Sequence, residues 1–309
     1  MNRISTAGNY QSALLNLMSA QTRQADAQSR ISSQKNATDL AGFGRGSESL
    51  TAMKAAQARV QGFVNAGEAA AARLDAQDLA LTRVGDALSG AASAIGNAIA
   101  NDSGVTLLLE MDNAFRDVAG GLNTRHNGDY LFSGSRADTP AVNVQTLAEL
   151  TAAPDVASIF QNDQLAPVSR LSEGAPTRTG LLADDVGAAV SQIFRDIQAY
   201  SDDPATGPLS GTLSPAQKTF LSGKLQELQA ATTAVTTVTA GNGALLKQVE
   251  SMTASNTAQI DSLSELVSKR TDADMAKAIT DLQLAQVAIQ ASAQVVSQLS
   301  QVSLLNYLR

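Results

Sequence analysis

Cysteine and tryptophan are absent from the 309 residues of the chain, and histidine occurs once. Without cysteine there can be no disulfide framework, no thiolate metal site and no cysteine nucleophile. Aromatic residues make up only 4% of the sequence although 44% of it is hydrophobic, so the apolar side chains are mostly Ala, Leu, Val and Ile. Side chains of this size suit the narrow seams between packed helices better than a wide globular core.

An excess of positive charge and long apolar runs are also missing. Lysine and arginine total 22 against 29 acidic residues, a net charge of −7. Because no basic cluster could neutralise a phosphate backbone, we predict no nucleic-acid partner. No apolar run reaches the roughly 18 residues that span a bilayer, so no membrane partner is predicted either. The apolar group Ala13–Met18 is interrupted by Asn16 and followed by no clear cleavage site, so no cleaved signal peptide is expected.

The longest periodic segment lies between Leu50 and Ile99. Steps of three and four residues alternate through it, and eleven of the fifteen positions that they reach are apolar. A seam of this length is typical of a coiled-coil rod. The turn-forming residues Asn101–Gly104 end the rod, and a shorter helix is predicted after them, up to Leu122.

A second rod is predicted to begin at Ser214. The string Ser214-Pro215-Ala216-Gln217 combines a helix-capping serine, a proline at the first helical position and a glutamine that can complete a capping box. Apolar positions continue to Val267, and Gly241–Gly243 indicates a bend or a close contact in the middle. We expect the two rods to lie against each other.

The two ends carry weaker amphipathic seams. Heptad steps in the first segment reach Leu14, Leu17, Gln21, Gln24, Gln28 and Ile31. Thr271–Asp274 has the pattern of a capping box, and the last segment then reaches Ile279, Leu282, Gln286, Ile289, Ala293, Val296 and Leu305. Seams this rich in Gln and Ala would be marginal in an isolated hairpin. We therefore expect the ends to order only on assembly.

The middle of the chain breaks the helical pattern. Four of the seven prolines fall between residues 137 and 185, among short apolar groups that indicate a small, partly β insertion; a helix then returns from Asp184 to Tyr200. The predicted fold is mainly α, with long antiparallel helical rods or a coiled coil formed by the N- and C-terminal halves. Its predicted domains are a terminal helical assembly domain (1–40 plus 270–309), a helical rod domain (41–136 plus 186–269) and the insertion (137–185).

No catalytic, cofactor or metal site is predicted. His126 lies in a turn-like string and has no second histidine or cysteine to complete a transition-metal site. Gly42–Gly46 lacks the spacing of a phosphate-binding loop and is better explained as a flexible joint before the first rod. Asp184 with Asp185 favours a helix start, and Asp202 belongs to a loop.

Both termini resemble the bacterial flagellin superfamily. The chain opens with Asn2-Arg3-Ile4-Ser5-Thr6, and near its end come Thr271–Ala276, Gln290–Ser292 and Ser303–Arg309. Residues 123–140, with the string Asn-Gly-Asp-Tyr-Leu-Phe-Ser-Gly-Ser, resemble the hook-associated branch. The opening Arg-Ile-Ser-Thr is similar to that of hook–filament junction proteins.

The resemblance implies a structural subunit of the flagellum that joins hook to filament by coupled folding and assembly of its terminal helices. It implies export through the flagellar type III channel, an extracellular location, no enzymatic activity and no cofactor. The partners it implies are the hook-side junction protein, filament flagellin, copies of the chain in a ring or tube, and an export chaperone on the terminal helices. The expected assembly residues are Ile4, Leu14, Leu17, Ile31, Ile279, Leu282, Ile289, Val296 and Leu305.

Three alternatives stay open at this point. The nearest is a filament flagellin, which would polymerise into long filaments rather than stop at a short zone. A signalling coiled coil would need a membrane anchor. An enzyme in the insertion would need a concave polar pocket there.

Overall fold

The computed structural model describes the backbone of residues 2–305 and the side chains of residues 8–298. The helices are α1 (Asn2–Ser33), α2 (Ser47–Ala100), α3 (Leu107–Leu122), α4 (Leu147–Ala152), α5 (Ala183–Asp202), α6 (Pro215–Thr271) and α7 (Met275–Leu305). The strands are β1 (Arg125–His126), β2 (Asp129–Tyr130), β3 (Val168–Ser169) and β4 (Thr177–Arg178), and they form two antiparallel pairs, β1–β2 and β3–β4. Short 3₁₀ turns occupy Ala41–Gly46 and Ala157–Ile159. The predicted mainly α fold with a small, partly β insertion is confirmed.

The chain divides into two compact units. The terminal unit consists of Met1–Arg59 and Gln259–Arg309, and the central unit is Val60–Ala258. The long helices α2 and α6 contribute residues to both. The three domains expected from the sequence follow other boundaries, and that division stays a prediction.

One large hydrophobic core holds the central unit together. Leu81 and Leu88 of α2 share this core with Leu228 of α6, which confirms that the two rods pack against each other. Phe115 of α3 and Phe194 of α5 close the core from another side, with ring centroids 5.7 Å apart. Each such side chain contributes about 1.5–3 kcal/mol by leaving water.

The start of α6 follows the sequence closely. The main-chain N–H of Ser214 donates to Oε1 of Gln217 at 2.9 Å, and the N–H of Gln217 donates to Oγ of Ser214 at 3.2 Å. This reciprocal pair is the predicted capping box. Further on, α6 stays helical through Gly241–Gly243. The side chain of Asn242 there is buried against α2, so the close contact is the correct alternative.

The end of α6 corrects a prediction. Thr271 is the last residue of α6 rather than the cap of the next helix. Asp274 takes the capping role, because its Oδ1 accepts a hydrogen bond from the main-chain N–H of Lys277 at 3.0 Å. The predicted capping box at Thr271–Asp274 is therefore wrong, since an aspartate at its last position can itself begin a helix.

The insertion is only lightly β-structured. A bridge joins Val142 to Phe160, and the strands β3 and β4 pair over two residues each. The β1–β2 hairpin lies before residue 137 and was not predicted, because two-residue strands leave no periodicity to detect. Its turn places Asn127 and Gly128 at φ of 53° and 96°, conformations that asparagine and glycine tolerate.

Candidate assembly surface

Helices α1 and α7 form an antiparallel pair in the terminal unit. Main-chain hydrogen bonds set its register where the helices meet: the N–H of Asn36 donates to the carbonyl of Thr271 at 2.7 Å, and the N–H of Ala273 to that of Gln34 at 3.0 Å. The end of α1 therefore lies beside the start of α7. Moving away from this joint, the two helices pack along their length.

Alanines form the seam between α1 and α7. The buried seam residues are Ala13, Ala20, Ala27, Ala278 and Ala285. They alternate with half-buried, larger residues at heptad spacing: Leu17, Gln24 and Ile31 on α1, and Leu282, Ile289 and Val296 on α7. Because alanine is small, the two backbones can approach closely.

This seam differs from the predicted one at every second position. Leu14, Gln21 and Gln28 on α1 are exposed rather than buried between the helices, and so are Ile279, Gln286 and Ala293 on α7. The prediction followed heptad steps from Leu14 and from Met275. At Leu14 and Ile279 the structure places the preceding alanine inside and leaves the larger apolar residue outside.

The structure therefore divides the predicted assembly residues. Five lie half-buried along the seam: Leu17, Ile31, Leu282, Ile289 and Val296. Leu14 and Ile279 point outward, with 40% and 46% of their surface exposed. The side chains of Ile4 and Leu305 lie outside the described residues. Contact of any of these residues with another subunit stays a prediction.

Larger apolar residues are exposed on the pair. On α1 they are Tyr10, Leu14, Leu15 and Met18, and on α7 they are Ile279, Leu284, Val287 and Val295; together we call them the outer face. The stretch from Leu282 to Gln298 contains no charged residue. An apolar, uncharged surface of this kind is typical of an interface.

Helix α7 has a second row of alternating large and small apolar residues, next to its seam with α1. Leu284, Ala288, Ala291 and Val295 follow steps of four, three and four residues, so they lie along one side of the helix. Large and small apolar residues alternate there as they do in the seam with α1. The opposite flank carries glutamines instead, at positions 283, 286 and 290. We call the first set the Leu–Ala strip.

The joint between α6 and α7 is a polar cluster around Asp272. Its carboxylate accepts hydrogen bonds from Lys35 Nζ, from Ser268 Oγ and from Thr271 Oγ1, the last at 2.9 Å. The bond from Lys35 is the main reason that the pKa of Asp272 falls from 3.8 to about 2, and the two hydroxyls add to the effect. The cluster fixes the start of α7 relative to the end of α1. The sequence alone does not indicate this cluster, because Lys35 and Asp272 are 237 positions apart in the chain.

The residues considered for chemistry are not brought together. His126 lies half-buried in the β1–β2 hairpin, and its Nε2 contacts Nδ2 of Asn127 at 3.1 Å. Gly42–Gly46 forms part of a 3₁₀ turn before α2, with Gly44 at a φ of 51°. Within residues 8–298, no group of three or more His, Cys, Asp or Glu side chains is placed to hold a metal ion. None of the helices in the described part of the chain is long and apolar enough to span a membrane.

Comparison with known proteins points in one direction. Residues 225–308 match the family described as the bacterial flagellin C-terminal helical region. A putative flagellar hook-associated protein from Vibrio parahaemolyticus has the same fold, with a TM-score of 0.60 and 13% identity over 75% of this chain and 100% of its own. FlgL from Bacillus cereus aligns with a TM-score of 0.54 and 14% identity over 69% of this chain and 97% of its own. No match to a curated protein was found. The resemblance to the flagellin superfamily that the terminal motifs indicated is confirmed.

Proposed function

We propose that this chain is a structural subunit of the bacterial flagellum that joins the hook to the filament. The outer face carries the proposal: eight large apolar side chains are exposed on the helix pair, and the stretch of α7 from Leu282 to Gln298 has no charged residue. The match of the C-terminal region to the flagellin family and the fold shared with a flagellar hook-associated protein support a flagellar assembly as the place where this face is covered.

The mechanism we propose is folding coupled to assembly. An alanine seam buries little area per residue, and burial stabilises by about 25 cal/mol for each Å² of apolar surface. The α1–α7 pair alone is therefore marginal, because most helical stability comes from tertiary packing. Neighbouring subunits would cover the outer face and supply the missing burial. The terminal helices then become ordered as the subunit is added.

The proposed partners follow from a position between the hook and the filament. The hook-side junction protein would contact the subunit on one side and filament flagellin on the other, with copies of the chain completing a ring or short tube. An export chaperone would cover the terminal helices before assembly, because their outer face would otherwise associate at random. Export through the flagellar type III channel would place the subunit outside the cell, where it acts as a structural component rather than an enzyme.

Filament flagellin is the second candidate function. The match of residues 225–308 to the flagellin C-terminal helical region favours it. A flagellin and an adaptor both need terminal helices that pack on neighbouring subunits, so these helices do not distinguish them. The two functions differ in the structure that the cell lacks when the gene is deleted.

Deletion of the gene in the source bacterium tests the adaptor function. We expect the deleted cells to keep their hooks, to lose their filaments and to release unassembled flagellin into the medium. Production of the wild-type chain from a plasmid should restore filaments. Electron microscopy of the cells and immunoblots of the medium give both readouts. Deleted cells that keep normal filaments would rule out the adaptor, and cells that have hooks but no flagellin in the medium would favour the flagellin reading.

A further inference from the structure

Two exposed apolar side chains lie close in sequence in the insertion. Leu165 and Val168 are exposed over 68% and 59% of their surface. Arg170 comes directly after the end of β3, two residues beyond Val168. Arg170 is exposed and makes no hydrogen bond or ion pair with any described residue. We call Leu165, Val168 and Arg170 the β3 knob.

A groove between α2 and α3 lies on the same central unit. Its volume is about 550 Å³, and the small residues Ala87, Gly90 and Ala114 line it together with the exposed Leu79; we call the three small residues its floor. A Cβ atom built on Gly90 would meet no heavy atom within 4 Å, so the floor is open above this residue. The groove has room for an aliphatic side chain and the backbone that carries it.

The rim of this groove is acidic. Asp86 and Glu110 line it, and neither forms a hydrogen bond or ion pair with a described residue. A third carboxylate, Asp117, is paired with Arg83 at 2.7 Å and is therefore neutralised. At the knob, the neighbouring Arg178 is likewise paired with Asp185, at 3.3 Å, which leaves Arg170 as the available positive charge.

We propose that the β3 knob of one copy docks in the α2–α3 groove of the next copy. The aliphatic side chains of Leu165 and Val168 enter the small-residue floor, and Arg170 pairs with Glu110 or Asp86 on the rim. The proposal rests on the assembly function above, because it needs copies that lie side by side. The groove has open space over its small residues and unpaired negative charge on its rim. The knob has exposed aliphatic side chains and an unpaired positive charge, so the two surfaces match in shape and in charge.

Knob and groove are different surfaces, so the contact is heterologous. Each copy would offer its knob to one neighbour and its groove to another, which generates a ring or a helical array rather than a closed pair. This contact belongs to the central unit and is separate from the outer face of α1 and α7. It would add side-to-side cohesion that does not depend on the terminal helices.

Cysteine cross-linking tests the contact directly, because the natural chain has no cysteine. Cells that lack the native gene would make two variants together, Val168→Cys and Gly90→Cys, and their flagella would be isolated and mildly oxidised. We expect a dimer band that disappears on reduction, since a disulfide forms only when the two Cβ atoms come within about 4.5 Å. The control pair combines Gly90→Cys with Leu109→Cys, an exposed position outside the groove, and should give no dimer.

Charge exchange provides a second test. Arg170→Glu and Glu110→Arg should each weaken incorporation into flagella by roughly fivefold, the size of an exposed ion pair. The double variant should recover at least in part, because residues 170 and 110 then again carry opposite charges. Circular dichroism confirms that the variants fold.

The outcomes separate this contact from the assembly function. Assembled flagella without the dimer band, or a double variant that is no better than the single ones, overturn the docking of knob in groove and leave the adaptor function untouched. A groove cysteine that cross-links only to a different protein also overturns it. If the wild-type chain is not found in flagella at all, the adaptor function fails and the contact with it.

Discussion

The side-chain amide of Asn242 in α6 donates a hydrogen bond to the main-chain carbonyl oxygen of Leu74 in α2, 2.8 Å away. The two residues are 168 positions apart in the sequence, and the bond is buried. This bond fixes the position of α6 along α2 in the central unit.

Replacement of Asn242 by alanine should lower the free energy of unfolding by about 1–2 kcal/mol. The variant loses one buried hydrogen bond and leaves a small gap between the helices. Urea unfolding followed by circular dichroism measures the change. Asn97→Ala, at an exposed position of α2, is the matched control and should stay within about 0.5 kcal/mol of wild type. Equal effects of the two variants would show that the Asn242 bond has no special role.

Gln77 should respond in the opposite direction. Its side chain is fully buried, yet neither its amide nitrogen nor its amide oxygen has a hydrogen-bond partner among the described residues. Burying an unpartnered amide costs about 1–3 kcal/mol. We therefore expect Gln77→Met to raise the free energy of unfolding by about 1 kcal/mol, whereas the exposed control Gln61→Met should leave it unchanged. A clear loss of stability in Gln77→Met would mean that this amide is hydrogen-bonded in solution.

The sequence predicted the rods and the capping box at Ser214 well, because both depend on spacing along one helix. The spacing of apolar residues along one helix cannot show which of two adjacent residues faces the partner helix when both are apolar enough to be buried. The terminal seam is the example: Leu14 is the more hydrophobic choice, and Ala13 is the buried one. The distance between the backbones of α1 and α7 determines which residue is buried, and this distance depends on the side chains of both helices. The contact of Asn242 with Leu74 was equally hidden, since it joins residues far apart in the chain.

The cluster around Asp272 makes the terminal unit sensitive to acid. Its folded-state pKa of about 2 lies below the ordinary value of 3.8. A carboxylate with a lowered pKa stabilises the fold above its unfolded pKa, and this contribution is lost as the pH falls through the folded pKa. The protection of the first turns of α7 against hydrogen exchange, relative to the intrinsic rate at each pH, should therefore fall between pH 3.8 and about 2 in the wild type.

Asp272→Asn isolates this effect from the other carboxylates. At neutral pH its α7 amides should exchange faster than those of the wild type, and the difference should close at the acid end of that window. Asp261→Asn, an exposed residue of α6, serves as the control and should behave as the wild type does. A difference between Asp272→Asn and the wild type that does not change with pH would contradict the proposed role of the Lys35–Asp272 pair.

The alanine seam should not tolerate larger side chains. Ala20 is 3% exposed and faces α7, so Ala20→Leu forces the two helices apart. Overpacking of this kind costs about 1–3 kcal/mol. Limited proteolysis should remove the terminal segments of this variant faster than those of the wild type. Ala25→Leu makes the same substitution at an exposed position of α1, and equal cleavage of the two variants would contradict the observed seam.

The last prediction concerns the Leu–Ala strip of α7. Leu284 is 64% exposed, so Leu284→Lys should leave the fold of the subunit unchanged. In the assembly this side chain would be covered, and burial of a leucine contributes about 1.5–3 kcal/mol. We therefore expect incorporation into flagella to fall by about tenfold or more, with flagellin released into the medium. Gln283→Lys introduces the same charge one residue earlier, on the glutamine flank, and should interfere less. If the two lysine variants assemble equally well, the Leu–Ala strip is not the surface that neighbouring subunits cover.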